Sequence, residues 1–227
     1  SGNGVLAHGV EVKLIDHPDK GFQKSDIPFP RGEIAVRSRF VSPGYLGEPE
    51  KTAEAFVDGW FHTGDLGSFD ENGNLLILER VNAVQTLAGG KVICPTKLED
   101  LYENCELVHQ IFLFGSPQFP AVVALVVPAH ANGHLEDAPI SEDIVEDAEL
   151  VRTIQLELSS LALQSGVSRD EIPVAIALLG TPWSPRHHGL LNLHLKKIRS
   201  RFLEVYGDLL QRLLEDGNAS AHQPASP

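Results

Sequence analysis

The sequence predicts an α+β fold in two parts: a small β-barrel-like unit over residues 1–80, then an α+β unit over residues 81–214, with a short tail at 215–227. Three observations lead there. Up to Arg80 the chain consists of short segments of alternating apolar and polar residues, broken by Gly, Pro and Asn, as in half-buried strands joined by tight turns. After Arg80, unbroken apolar runs take turns with helical spacings. The final residues are small and polar and have little apolar surface to bury, so a disordered tail or linker is expected there.

In order along the chain, Val10-Glu11-Val12-Lys13-Leu14-Ile15-Asp16 alternates, and His17-Pro18-Asp19-Lys20-Gly21 breaks the strand. Glu33-Ile34-Ala35-Val36-Arg37-Ser38 alternates again and ends near Pro43-Gly44. Residues 48–56 read as a short helix with Pro49 near its start, where a missing amide costs nothing. Phe69-Asp70-Glu71-Asn72-Gly73-Asn74 reads as a turn before the apolar strand Leu75-Leu76-Ile77-Leu78. Beyond Arg80, residues 96–102 have helical spacing behind Pro95. Residues 111–114 and 121–127 are buried-strand candidates joined by a Gly/Pro connection, and 129–139 is a polar link. Helical patterns occupy 142–164 and 169–171, and 175–179 is a third strand. An amphipathic helix runs from about 193 to 214. The domain boundary is expected between Arg80 and Ala83.

Composition removes several functional classes. The net charge is −13 with histidine neutral, and there is no dense Lys/Arg run, so nucleic acid and anionic membrane are not expected partners. Cys94 and Cys105 have neither CxxC nor metal spacing, which suits a reducing compartment. No apolar run is long enough to span a bilayer, and no charged-then-apolar leader opens the chain. A cytoplasmic protein is expected.

Candidate chemistry begins at Asp58-Gly59-Trp60-Phe61-His62-Thr63-Gly64-Asp65-Leu66-Gly67, followed by Glu79-Arg80. A turn at 69–74 would fold Asp65 and Arg80 back to the same edge. A carboxylate there can accept two ribose hydroxyls, and a guanidinium can reach a hydroxyl or a phosphate. The same spacing also fits an ordinary surface ion pair.

These residues, with Gly32-Glu33-Ile34, Pro43-Gly44-Tyr45, Thr52 and Phe56, resemble the second half of an adenylate-forming enzyme. That superfamily comprises the acyl-CoA synthetases, the adenylation domains of peptide synthetases and the luciferases. The resemblance covers about residues 9–207 and implies that Asp65 and Arg80 contact the ribose of ATP or AMP. It implies that residues 1–80 are the last β-rich subdomain of a large N-terminal domain, and that 81–214 are its mobile C-terminal lid. Asn82, two residues after the arginine, stands where the family has a hinge. Family members usually carry Asp or Lys there, and an ordinary linker Asn fits equally; Asn does tolerate two backbone states.

In Leu87-Ala88-Gly89-Gly90-Lys91-Val92-Ile93 the resemblance implies that Gly89 and Gly90 line a pantetheine channel, whereas the residues by themselves also fit a plain turn. Leu98-Glu99 matches a helix opening in which the glutamate is structural. In Ser184-Pro185-Arg186-His187-His188-Gly189-Leu190-Leu191-Asn192-Leu193-His194-Leu195-Lys196-Lys197-Ile198-Arg199, the Gly-Leu-Leu with a lysine five residues on resembles long-chain acyl-CoA synthetases and the adenylation domain of carboxylic acid reductases. Lys196 is the implied catalytic residue and Lys197 the fallback; both also fit the solvated face of a helix. An ammonium there offsets charge as a carboxylate attacks a phosphate. His187, His188 and His194 lack a carboxylate or cysteine at ligand spacing, so no metal site is expected among them.

The family's phosphate-gripping loop, its Thr-Glu motif and most of the acyl pocket have no counterpart in these residues. The expected function is therefore the C-terminal portion of an ATP-dependent carboxylic acid-activating enzyme, forming an acyl-adenylate and then a thioester. This chain alone is expected to be inactive. Implied cofactors are ATP, Mg2+ held mostly outside this chain, and CoA or phosphopantetheine. Implied partners are the missing N-terminal half, CoA or an acyl carrier protein, and the acid. The competing expectation is a non-catalytic docking module for a carrier protein or for that missing half, with an exposed apolar patch on the isolated chain.

Overall fold

A computed structural model describes residues 5–130 and 144–221, and the chain divides into two compact units, Ser1–Val84 and Gln85–Pro227. Turn chemistry lays out the first unit. Strands β1 (Val10–Ile15), β2 (Arg31–Ser38), β3 (Phe56–Val57), β4 (Trp60–Phe69) and β5 (Leu75–Arg80) form one antiparallel sheet. Helix α1 (Pro49–Ala55) leads into β3. Asp58 and Gly59, at φ 51° and 76°, make the left-handed two-residue turn that joins β3 to β4, the type an Asp-Gly pair favours. The next turn is organised by Asp70, whose carboxylate accepts the amides of Asn72 (2.9 Å) and Asn74 (2.8 Å) and the Asn74 side-chain amide (2.8 Å). Those bonds, the Asn74 side chain first, hold the Asp70 carboxyl below its usual range.

β4 is the organising strand of this unit. Its first residues pair with β3, its later ones with β5, and β2 lies along it with a shift of register between Glu33 and Ala35. A second shift falls between Leu66 and Gly67. Such irregularities re-aim side chains, and here the first spans the Thr63-Gly64-Asp65 segment and the second follows it. Leu14, Phe22, Ile34, Ala35 and Leu66 are buried in this unit.

The second unit is a three-stranded sheet between helices. Short strands β6 (Gln85–Thr86) and β7 (Val92–Ile93) pair with each other ahead of helix α2 (Pro95–Tyr102). Strand β8 (Val108–Phe114) runs antiparallel to β9 (Val123–Pro128), and β10 (Ala175–Leu178) runs parallel to β9. The parallel return is carried by α3 (Ala148–Gln164), and α4 (Arg199–Ala221) follows β10. Both faces of the sheet are covered, so its strands read as continuous apolar runs. Ile111, Leu113, Ala124, Val126, Ile176 and Leu178 face Leu98, Tyr102, Ile154 and Leu158 of α2 and α3. Phe112, Val123, Leu125 and Leu179 face Phe202, Tyr206, Leu210 and Leu214, the four-residue stripe of α4. Phe202 stacks on Phe112 with centroids 4.1 Å apart and meets Trp183 edge-on at 4.7 Å, so one aromatic knot fastens α4 to the sheet.

Several boundaries move from their sequence-based positions. α3 begins at Ala148 because Asp147 caps it, accepting the amides of Glu149 and Leu150; residues 142 and 143 lie outside the described residues. The polar link at 129–139 likewise lies outside them from residue 131 on. α4 begins at Arg199 and not near 193, since Asn192 holds the preceding residues in a turn. It continues to Ala221, so residues 215–221 are helical and not the expected disordered tail; 222–227 lie outside the described residues. Packing explains the extension. Gly217 is buried so close to Val174 that an added Cβ would meet its side chain at 2.8 Å, a contact composition does not reveal.

Candidate nucleotide edge and lysine loop

In the first unit, Asp65 and Arg80 are directly opposite each other across the β4–β5 ladder. The Arg80 Nε lies 2.9 Å from the Asp65 Oδ1, and Arg80 Nη1 donates to the carbonyl of Thr63 at 3.1 Å. Beneath them, β4 departs from a regular strand at Gly64. Gly64 sits at φ 70°, where a side chain would be strained. Its carbonyl accepts the amide of Val81 at 2.9 Å. Thr63 Oγ1 donates to the Ile34 carbonyl (2.8 Å) and accepts the Asp65 amide (3.1 Å).

In the sequence Glu33 and His62 stand within the motifs without a role of their own, and His17 reads as part of a strand break. The structure joins all three. The buried Glu33 carboxylate takes His17 Nε2 at 3.1 Å and His62 Nδ1 at 3.0 Å on one oxygen, and the Gly64 amide at 3.0 Å on the other. Burial pushes the Glu33 carboxyl up, but the bonds from His62, His17 and Gly64 together bring it below its usual value. An ionised carboxylate only accepts, so both rings donate their N–H to it. The signal in the sequence is a charged residue opening an alternating, half-buried strand.

In the second unit, Ala88, Gly89 and Gly90 form the exposed tip between β6 and β7, with both glycines at positive φ (81° and 83°). A Cβ at either would meet nothing, so conformation and not crowding calls for glycine here. Below the tip, buried Leu87 anchors one side. Lys91 anchors the other through Ser168 and Asp170, the latter at 2.6 Å.

The lysine loop has the opposite character on its two sides. Asn192 accepts the amides of His194 (2.9 Å) and Lys196 (3.0 Å) on its side-chain oxygen, and its own amide reaches the Lys196 carbonyl (2.9 Å). Leu195 is held at φ 59°, a conformation costly for a branched side chain. Lys196 follows it, exposed, and among the described residues its ammonium has no ion-pair partner. Lys197 points the other way, with Nζ 3.1 Å from Glu99 and 2.8 Å from Glu103. Arg199 reaches Glu99 at 2.9 Å, donates to the Leu113 carbonyl, and lies over the Phe112 ring at 4.4 Å. Glu99, only 2% exposed, also accepts the Leu113 amide at 2.8 Å. Thus α2, β8 and the start of α4 share one buried charge cluster, and Lys196 is left outside it. Asn82 is exposed, in a turn two residues before the division between units.

Among the described residues no group of three His, Cys, Asp or Glu is placed to hold a metal ion, and no helix is long and apolar enough to cross a membrane. No family model matches the chain. Individual proteins do. The chain is 31% identical over 224 residues to the peroxisomal long chain acyl-CoA synthetase 7 of Arabidopsis thaliana, covering 95% of this chain and 32% of that protein. It is 34% identical over 205 residues to the carboxylic acid reductase of Mycobacterium tuberculosis, covering 90% and 17%. Its fold matches the adenylation domain of a Mycobacterium chelonae carboxylate reductase with TM-score 0.82 at 34% identity, over 94% of this chain and 32% of that one. The adenylation domain of the Segniliparus rugosus reductase, solved with AMP and a co-purified carboxylic acid, matches with TM-score 0.79 at 29% identity, over 91% and 31%. The chain thus spans about a third of the length of the acyl-CoA synthetase and the two adenylation domains. By sequence and by fold, the chain is similar to a part of adenylate-forming enzymes, namely long-chain acyl-CoA synthetases and the adenylation domains of carboxylic acid reductases.

Proposed function

We propose that this chain supplies the ribose-binding edge and the lid of an enzyme that activates a carboxylic acid with MgATP and passes the acyl group to a thiol. In the first step a carboxylate oxygen attacks the α-phosphorus, the bond to the bridging oxygen breaks, and pyrophosphate leaves. In the second a thiolate attacks the acyl carbonyl and AMP leaves. The observation that carries this reading is the pairing of Asp65 with Arg80 at one edge of the sheet. There a ribose hydroxyl pair can exchange one oxygen of the carboxylate's ion pair for hydrogen bonds at little cost, since an exposed pair is weak.

Lys196 takes the adenylation role in this reading and Lys197 does not, because Lys197 is held by Glu99 and Glu103 while Lys196 has no ionic partner among the described residues. Its ammonium would offset the charge that builds between carboxylate and α-phosphate. The Gly89–Gly90 tip takes the thiol arm, from CoA or from a carrier protein's phosphopantetheine. Asn82 is the hinge between residues 1–80, the last part of the large domain, and 81–214, the lid. Mg2+ ligands are assigned to the remainder of the enzyme, and no step is derived through them. Exposed Phe40, Tyr45 and Leu46 fit a surface that this remainder covers. A cytoplasmic location belongs to the same reading.

The test is a chimera in which this chain replaces the equivalent third of the M. chelonae adenylation domain. Acid-dependent pyrophosphate exchange is expected, and Lys196→Ala should lower it by about 10²–10³, the scale of removing one transition-state charge partner. A folded chimera with no exchange, or one indifferent to Lys196→Ala, would favour the docking module.

A further inference from the structure

Glu33 is a buried carboxylate that neither half-reaction uses, yet two of its three hydrogen-bond donors, Gly64 and His62, belong to the strand that carries Asp65. Its oxygens accept the Gly64 amide at 3.0 Å, His62 Nδ1 at 3.0 Å and His17 Nε2 at 3.1 Å. The exposed Asp19 carboxylate lies 3.7 Å from the other ring nitrogen of His17. Gly64 and His62 flank Thr63, whose hydroxyl bonds the Ile34 carbonyl next to Glu33 in β2 and receives the Asp65 amide. The pairing of β2 with β4 breaks register at this place, between Glu33 and Ala35. Regular ladder bonds are interrupted here, and the carboxylate and the Thr63 hydroxyl supply acceptors in their stead.

We infer that Glu33 is a positioning residue for ribose recognition: as the common acceptor of Gly64 and two histidines, it fixes the left-handed Gly64 irregularity in β4 that presents Asp65. The inference rests on the ribose role proposed for Asp65. It is tied to the ionised carboxylate and not to the space it fills. Three N–H donors meet at Glu33, and a glutamine of the same size would turn an NH2 toward at least one of them. The Gly64 N–H cannot become an acceptor as an imidazole can, so an NH2 facing it displaces Gly64, and Asp65 moves with it. What suffers first is then not the fold but the discrimination between a ribose hydroxyl and its absence.

The experiment pairs two readouts. In the 227-residue chain, the Gly64 amide proton resonance is recorded for the parent and for Glu33→Gln, with His62→Gln as a milder variant that keeps a side-chain N–H. In the chimera described above, kcat/KM is measured with ATP and with 2′-deoxy-ATP. Glu33→Gln should move the Gly64 resonance and cut the ATP preference by about tenfold, the scale of one hydrogen bond to a charged group. It should leave KM for the acid unchanged, and His62→Gln should fall between. A folded Glu33→Gln with a moved Gly64 resonance and an intact preference overturns the inference. So does an equal loss with both nucleotides, accompanied by a changed KM for the acid, which is the mark of a merely structural residue. If Glu33→Gln does not fold, His62→Gln decides by the same two criteria. Failure of the underlying reading shows separately, as an Asp65→Asn chimera with undiminished preference for ATP, and that result also overturns the inference.

Discussion

The two candidate sites hold their charged groups in opposite ways. At the edge of the first unit, Asp65 and Arg80 are each other's partners, exposed enough for a ligand to compete, and a register pairing on two adjacent strands sets their positions. In the second unit, Lys196 has no ionic partner among the described residues, while its neighbours Lys197 and Arg199 are committed to the buried Glu99. A binding edge can be made from strands alone, because the ladder spaces its side chains. A lone ammonium on a loop has no ladder. It needs an anchor on each side, here Asn192 before it and the Glu99 cluster after it, and the backbone between them accepts strain at Leu195.

The sharpest way to break this comparison is to remove the anchor. Glu99→Ala leaves Lys197 and Arg199 facing each other without their shared carboxylate, and a loss of about 3–5 kcal/mol is expected in denaturant unfolding of the second unit. Arg80→Gln, which breaks an exposed pair in the first unit, should cost less than about 1 kcal/mol. Comparable losses for the two would remove the distinction between them. An effect smaller than that of Glu99→Ala, and of opposite sign, is expected from Leu195→Gly. Relief of the left-handed backbone should raise stability by about 1 kcal/mol, set against the extra freedom glycine brings to the unfolded chain. Thermal unfolding with and without the substitution measures it, and a clear loss would mean that the Leu195 side chain is doing something beyond bearing strain.

The smallest expected effect concerns acid. Glu33 titrates below its ordinary 4.5 in the folded chain, so it binds protons less readily folded than unfolded. Its contribution is present above about pH 4.5 and is lost as pH falls through the depressed folded value. Between pH 5 and 3 the first unit should therefore destabilise less steeply in Glu33→Gln than in the parent, when followed by Trp60 fluorescence. Parallel slopes would show that the carboxylate carries no linkage.

Much of this was legible in the chain. Alternation marks β1 and β2, the Asp70–Asn74 segment marks a turn, and that turn brings Asp65 and Arg80 to one edge; the register shift between Leu66 and Gly67 sets them directly opposite. The two apolar runs of the second unit read as buried strands because helices cover both faces of their sheet. The α4 boundaries were not legible. Asn192 delays the start through side-chain bonds to its own loop, and Gly217 extends the end by packing on Val174, over forty residues away in sequence. Nor was there any local sign that Lys197, and not Lys196, meets Glu99 across 98 residues.

By itself, then, the sequence determined the order of elements, the hairpin that aligns the nucleotide edge and the short list of charged residues fit for chemistry. All of these follow from periodicity and turn stereochemistry within a few residues. Only the tertiary structure decided which of those charges are spent on holding the fold and which are left for a ligand. Glu33 and Glu99 bury a carboxylate, and a buried carboxylate must gather donors from wherever the fold brings them. Those donors came from strands and loops far apart in the chain, and they left Lys196 outside the cluster.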